Sequence, residues 1–305
     1  MPLTARFRRL GLRLFALWLC ALGTAVPAIH AQSATQSGGT WAPLERSTAA
    51  PYRPPTPQES VLLEQLMTQA QKEAVVDTNL LELVGTALAS DNPHVRTNAF
   101  AMMQVAMMRL RAAPGERSST RRAVLTDGGM GLALDGLRDG DGAVRRYAFT
   151  AMASLELDAA QRGRVTALST TLFASDPEPM VRVVALGWLL GPATGGEVDR
   201  ALIERAIADG SPSVKAEGFS VLWMRQVPDF VPFVLRKLHD ESDRMTRITA
   251  AAALLNVVRA DPSVVDAVNA RLAVETDPVA RERLAGTVFT MREILARAKK
   301  PGANR

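Results

Sequence analysis

One short pattern occurs six times along the chain, and it constrains the fold more than any other feature of the sequence. Each copy has an acidic turn, then an apolar or small residue followed by a basic residue, then a run with small and apolar residues at fixed positions. The copies recur roughly every 35 residues after a longer first interval, a period typical of arrays built from one supersecondary unit. The copies are SDNPHVRTNAFAMM (90–103), RDGDGAVRRYAFTAM (138–152), SDPEPMVRVVALGWLL (175–190), ADGSPSVKAEGFSVL (208–222), DESDRMTRITAAAAL (240–254) and ETDPVARERLAGTV (275–288).

Each copy predicts a helix that starts just after its turn. Counted from the residue before the base, the fourth, fifth and eighth positions are small or apolar in all copies, which defines one broad buried helix face. The sixth position is always small, so neighbouring helices can approach closely. Another helix-like stretch precedes each turn, and no long run alternates apolar with polar residues as a strand would. The expected preceding helices are 80–89, 123–137, 164–174, 198–208, 227–238 and 263–274.

Local signals refine these boundaries. A capping residue stands before a proline at Asn92, Ser211, Asp261 and Asp277, which predicts helix starts there. Thr56-Pro57-Gln58-Glu59 has the form of a capping box and predicts a first helix over 56–76. The stretch 113–122, rich in Pro, Gly and Ser, predicts an inserted loop, and the glycine-rich stretch 127–142 predicts a loop followed by a repeat turn.

The pattern Asp-x-x-x-(x)-Val-Arg-x-x-Ala ahead of a Leu-rich helix resembles the HEAT repeat, especially the short bacterial, PBS-lyase-type HEAT-like form. The resemblance covers about 78–291, although the fifth copy has Thr246-Arg247 and the sixth Ala280-Arg281 in place of Val-Arg. It implies an all-α fold, an α-solenoid of about six helix pairs over 77–291, whose stacked pairs form a curved surface that binds partners. A fold of this kind does not by itself define an activity.

The recurring bases and turn acids have a structural and a catalytic interpretation. A catalytic site needs one special constellation, whereas this set repeats in every unit. We therefore expect a structural ladder, in which each base bridges acids and carbonyls of its own and the adjacent turn. The expected ladder residues are Arg96, Arg145, Arg182, Lys215, Arg247 and Arg281 with Asp91, Asp139, Asp176, Asp209, Asp240 and Asp277.

The outward positions of the repeat helices predict a partner surface. These positions carry a mixture of charged, aromatic and apolar residues, which suits a protein or peptide better than a polyanion. The candidate surface residues are Arg146, Tyr147, Val183, Val184, Trp188, Glu217 and Ile248.

The two ends of the chain differ from the repeats. Residues 1–31 combine four arginines with a short apolar run and small residues, the form of a secretory signal sequence, cleaved or retained as an anchor. Residues 32–55 predict a flexible Ser/Pro-rich tether, and 292–305 predict a basic tail. The exported part would then be periplasmic or secreted, with no stable membrane span in the mature chain.

Composition excludes several classes of function. The formal net charge of +5 resides in the two ends, so the faintly acidic body is not expected to bind nucleic acid. The single cysteine, Cys20, leaves with the signal sequence, and His94 and His239 are isolated in or beside turns. We therefore expect no metal site, no cofactor and no Ser-His-Asp triad.

These observations favour an exported, non-catalytic scaffold that binds a protein partner through the concave surface of its repeat helices. Two alternatives stay open. HEAT-like repeats resemble those of bilin lyases and alkylpurine DNA glycosylases, which would make the chain an enzyme. The basic tail could also contact anionic lipid or cell-wall polymer, which would make it an envelope assembly factor.

Overall fold

The chain forms thirteen α-helices in a computed structural model that describes residues 50–71, 78–112, 116–191 and 198–298. The expected signal sequence, the tether up to residue 49 and the end of the tail from residue 299 lie outside these residues. The helices are α1 (Pro57–Gln71), α2 (Thr78–Leu88), α3 (Pro93–Ala112), α4 (Glu116–Gly136), α5 (Gly142–Ser154), α6 (Ala159–Ser175), α7 (Pro179–Leu190), α8 (Arg200–Ala208), α9 (Pro212–Met224), α10 (Phe230–Asp240), α11 (Arg244–Ala253), α12 (Val264–Val274) and α13 (Pro278–Ala298).

Helices α2 to α13 form six consecutive pairs. In each pair an A helix (even-numbered) leads through a short acidic turn into a B helix (odd-numbered), and the recurring base lies in the first turn of the B helix. The described residues contain no β-strand. The predicted all-α fold class, built of consecutive helix pairs, is confirmed for these residues.

The chain divides into two compact units, residues 1–185 and 186–305. In the first unit α1 packs on α2 and α3, while α3 packs on α5 and α2 on α4. In the second unit α9 packs on α11, α11 on α13 and α10 on α12. In both units, therefore, A helices stack on A helices and B helices on B helices.

The apolar face predicted for the B helices forms the core. Phe100, Phe149 and Phe219 hold the fifth position in three of these helices, and each is at most 1% exposed. Ala99 and Ala148, at the fourth position, are fully buried. Burying a side chain of phenylalanine size contributes roughly 1.5–3 kcal/mol, so these residues drive the stacking of B helices.

Side-chain caps begin several helices where the sequence predicts them. Thr56 and Glu59 form the expected capping box, in which the N–H of Thr56 donates to Glu59 Oε2 at 2.8 Å and the N–H of Glu59 donates to Thr56 Oγ1 at 3.2 Å. Ser211 Oγ accepts the N–H of Val214 at 3.2 Å. Asp261 departs from the prediction, because α12 begins only at Val264.

The predicted insertion loop is helical over 116–122 instead, because these residues belong to α4. Two overlapping predictions cover the glycine-rich stretch, and the helix expected over 123–137 is confirmed while the loop expected from 127 is wrong up to residue 136. The last helix also runs to Ala298, into the segment expected to be a tail. Glycine lowers helix propensity, and here tertiary packing overrides that preference.

The glycines of α4 allow close contact with neighbouring helices. A Cβ atom on Gly136 would lie 2.3 Å from Phe100 Cζ and 2.8 Å from Ala148 Cβ. A Cβ atom on Gly128 would lie 2.4 Å from Leu81 Cδ1. The missing side chains therefore make room for core residues of α2, α3 and α5.

We expect Gly136→Ala to lower the free energy of unfolding by about 1–3 kcal/mol, because the added methyl group overlaps the Phe100 ring. Urea denaturation followed by circular dichroism measures this change. Gly131→Ala is the matched control: a Cβ there meets nothing within 4 Å, so the better helix former should leave stability unchanged or raise it by up to about 1 kcal/mol. Equal effects of the two substitutions would contradict the close-packing explanation.

Candidate functional site

The recurring base of each B helix folds back over its own turn. Five of these bases are arginines that donate to the backbone carbonyl six residues earlier, at the end of the A helix or in the turn, where carbonyls lack helical partners. Arg96 contacts Ser90 O at 2.9 Å, and Arg145 contacts Asp139 O at 2.9 Å. The same contact joins Arg182 to Asp176 O at 2.8 Å, Arg247 to Glu241 O at 3.1 Å and Arg281 to Glu275 O at 2.7 Å.

In the first unit the remaining donors reach the acid of the next turn. Arg96 binds both oxygens of Asp139, through Nε at 2.7 Å and Nη2 at 2.9 Å. Arg145 binds Asp176 in the same bidentate way, at 2.9 and 2.8 Å. The planar guanidinium matches the carboxylate, so each pair fixes both distance and orientation between successive turns.

In the second unit the ladder uses different acids from those predicted. Lys215 Nζ lies 3.1 Å from Asp243 Oδ2 and 3.2 Å from Thr246 Oγ1. Arg247 binds Glu275 at 2.8 and 2.9 Å. The expected acids were Asp240, whose side chain lies outside the described atoms, and Asp277.

Asp277 has a different role because it stands at the start of a helix. Its Oδ1 accepts the backbone N–H groups of Val279 and Ala280, both at 2.9 Å, so it caps α13. It also lies 3.4 Å from Arg244. Turn spacing alone does not distinguish the acid that caps a helix from the acid that receives the arginine of the preceding repeat.

The other two predicted ladder acids are also engaged. Asp209 Oδ1 accepts the N–H of Ser211 at 2.8 Å within its own turn. Asp91 binds Arg53, which precedes α1 and was not a predicted ladder residue. Recognising Arg53 would have required knowing that an extended segment lies against the first turn.

The ladder carboxylates are held in their ionised form. Burial alone would raise the pKa of Asp139, but hydrogen bonds from Arg96 and from a backbone N–H outweigh it and hold this pKa below its ordinary value. The hydrogen bond from Arg247 lowers the pKa of Glu275 to about 2. Burial opposes the lowering at Asp243, yet the bonds from Thr246 and Lys215 bring its pKa to about 2. Such groups are poorly matched to proton transfer near neutral pH.

Three of the predicted surface residues are buried, which corrects the expected surface. Val183 is 4% exposed, Glu217 3% and Ile248 3%. Counted from the residue before the base, the second and third positions were expected to point outward, but these three side chains are buried. The other four, Arg146, Tyr147, Val184 and Trp188, are partly exposed.

Glu217 is a buried acid without a partner for one oxygen. Its Oε1 has no hydrogen bond, and a Cβ atom on Gly187 would lie 3.4 Å from it. Burial raises the pKa of Glu217 to about 7. The group therefore stays largely protonated in the folded protein at a pH where an exposed glutamate is ionised.

The last B helix exposes positions that are covered in earlier units. The fifth position is buried in the five preceding B helices, whereas Ala285 in α13 is exposed. Arg281 contacts its own turn carbonyl, and Phe289, two turns further along, is 68% exposed. The sequence signal for this difference was the degenerate Ala-Arg of the sixth copy.

Other chemistry finds little support in the described part of the chain. No group of three or more His, Cys, Asp or Glu side chains there could hold a metal ion. His94 lies against Tyr52, with ring centroids 5.1 Å apart, and burial lowers the pKa of His94. Among the same residues, no helix is both long and apolar enough to cross a membrane.

Comparison with known proteins identifies the repeat. The family model for HEAT repeats matches residues 200–287, which contain α8 to α12 and the first part of α13. No curated protein matches the chain.

We expect Arg145→Met to lower the free energy of unfolding by about 3–5 kcal/mol, because it leaves the buried Asp176 carboxylate without its partner. Chemical denaturation measures the change. Arg138→Met is the matched control, since the Arg138–Asp135 pair is exposed and pairs of that kind contribute about 0–1 kcal/mol. If Arg145→Met lowers the free energy of unfolding no more than Arg138→Met does, the ladder does not stabilise the fold as we describe.

We expect Glu217→Gln to change how stability depends on pH. The pKa of Glu217 is about 7 in the folded chain, against an ordinary value of 4.5 for a glutamate. The folded protein therefore holds the proton more tightly, and stability falls as pH rises from 4.5 to 7. The variant should lack this fall and exceed the native chain by roughly 2–3 kcal/mol at pH 8, with the gap closing toward pH 5.

Unfolding free energies measured between pH 5 and 8 test this expectation. Glu282→Gln, at an exposed position of α13, is the control and should follow the native curve. A gap between Glu217→Gln and the native chain that is constant across this range would show that Glu217 does not titrate as described.

Proposed function

Because the chain is a HEAT-like repeat protein, we propose that it is a non-catalytic scaffold that binds a protein or peptide partner. HEAT repeats generally mediate protein–protein interaction. Such folds present many side chains along stacked helices, so binding energy is spread over a long surface.

One observation supports this proposal most strongly. The charged residues that recur in the sequence are committed to bonds with turn carbonyls, helix N–H groups and one another. The pKa values of the carboxylates at Asp139, Asp243 and Glu275 are lowered by these bonds. The recurring charged residues therefore stabilise the packing of the repeats, and we expect other side chains to recognise the partner.

We place the partner surface on the partly exposed faces of the B helices. In the first unit this surface contains Arg146, Tyr147 and Val184, and the Arg146 guanidinium lies 4.8 Å from the centre of the Tyr147 ring. Trp188, four residues after Val184 on α7, is also partly exposed. Tyr, Trp and Arg are the residues that most often carry binding energy at interfaces.

We further propose that the scaffold acts outside the cytoplasm, in the periplasm or the surrounding medium. The support is the arginine-rich start and apolar run within residues 1–31. The envelope-factor alternative adds contact between anionic polymers and the basic residues of 292–305.

The partner surface is tested by changing Tyr147 and Val184 together to glutamate. We expect crosslinking and affinity purification of the exported native chain to retrieve one defined protein partner, and the double variant to lose at least about tenfold in affinity for it. Surface plasmon resonance with the purified partner measures this loss.

The matched control is Thr170→Glu with Ala174→Glu, which adds the same charge at exposed positions of the A helix α6. This variant should bind as the native chain does. The proposal fails if no partner is retrieved and the chain converts a small molecule, or if both double variants bind equally well.

A further inference from the structure

The segment before α1 lies along the turns of the first two repeat units. Residues 50–56 contain no helix or strand, yet Ala50, Arg53 and Thr56 each make hydrogen bonds. Residues 50–55 were expected to belong to a flexible tether. The contacts of Ala50 and Arg53 instead join the segment to the edge of the repeats where an A helix turns into its B helix.

Arg53 forms an ion pair with the acid of the first turn, the position that a repeat base takes at the next turn. In later turns the acid receives a base from the preceding unit, as Asp139 receives Arg96 at 2.7 and 2.9 Å. Among the described residues no helix pair precedes the first turn, and there Arg53 binds Asp91 through Nη2 at 2.8 Å and Nη1 at 3.4 Å. The segment thus extends the ladder by one pair without being a repeat.

The turn edge also contacts the backbone of the segment. Asn92 Nδ2 donates to Arg53 O at 3.3 Å, and Ala50 N donates to Asp141 Oδ2 at 2.6 Å. The other Asp141 oxygen caps α5 by accepting the N–H groups of Ala143 and Val144. Backbone contacts spaced along a non-helical segment are how an extended polypeptide is commonly recognised.

The ion pair between this segment and the first turn is more exposed than the pairs within the repeats. The side chains of Arg53 and Asp91 are 46% and 84% exposed, against 9% and 4% for Arg145 and Asp176. Exposed ion pairs contribute about 0–1 kcal/mol, so the segment can detach without unfolding the helices that it lies on. Tyr52, which contacts His94 edge to face, is itself 62% exposed.

We propose that the turn edge formed by Asp91, Asn92, His94 and Asp141 is a docking surface for an extended basic segment, and that residues 50–53 occupy it as a displaceable strap. The occupant in the folded chain is its own sequence Ala-Pro-Tyr-Arg. Release of the strap removes the Arg53 partner of Asp91, the N–H that Asp141 Oδ2 accepts and the carbonyl that the Asn92 amide contacts, so these groups become available to another extended segment that offers an arginine and a free N–H group. This surface lies on the turns, apart from the B-helix faces proposed to bind the protein partner.

The test compares the native full-length chain with a variant that weakens the strap. Arg53→Ala removes the ion pair, and Ala50→Pro removes the N–H that Asp141 accepts. The probe is a synthetic peptide of residues 48–56, followed by two-dimensional NMR, which detects millimolar binding. In the native chain the attached strap competes at high effective concentration.

We expect the peptide to shift the amide signals of residues 91–94 and 141 in the variant, and to require at least about a tenfold higher concentration in the native chain. The same peptide with Arg53→Ala is the control and should cause no such shifts. Equal shifts in both chains, or shifts in neither, would overturn the proposal.

Thermal unfolding of the same two chains adds a second criterion. The strap-weakened variant should melt within a few degrees of the native chain, because it loses only the ion pairs of the half-exposed Arg53 and one part-buried hydrogen bond to Asp141. A variant that no longer folds would show that the segment is an integral part of the first unit, which contradicts a displaceable strap. These readouts need no protein partner, so they are independent of the proposed scaffold function.

Discussion

The structure depends on one side chain that is repeated at the start of every B helix. This basic side chain donates hydrogen bonds to backbone carbonyls at the end of the A helix or in the turn, which lack helical partners. In four described repeats it also binds a polar side chain of the next repeat. A single guanidinium therefore satisfies the turn of its own unit and sets the position of the next one. Bidentate pairs tolerate little rotation, so each pair fixes the orientation of one turn relative to the next. Apolar burial is not directional and does not fix this orientation by itself.

This arrangement explains which predictions held. The all-α fold follows from the acid, base and small-residue positions, since these recur at one helical register and the register places Phe100, Phe149 and Phe219 in the core. The glycines of α4 favoured a loop from 127 beside the helix expected over 123–137, because propensity describes an isolated helix. The close approach of Phe100 to Gly136 is a tertiary contact between residues far apart in sequence. Such contacts are not visible in a local pattern.

The candidate site was harder to predict for a related reason. A carboxylate in an acidic turn has two possible roles, and the choice depends on backbone geometry that spacing does not encode. Glu275 receives Arg247, whereas Asp277 caps the following helix. The same limit applies to the positions expected to point outward, because spacing does not show that Val183 and Ile248 are buried in the folded chain. Arg53 shows that a ladder residue can come from outside the repeats.

The central claim is that the ladder couples neighbouring repeat units. A double-mutant cycle on Arg145 and Asp176 tests it most directly, with Arg145→Met, Asp176→Leu and the combined variant compared by denaturant unfolding. Because the pair is buried and bidentate, the account predicts a favourable coupling free energy of about 1.5–3 kcal/mol. A coupling indistinguishable from zero, as expected for the exposed Arg138–Asp135 pair, would contradict it.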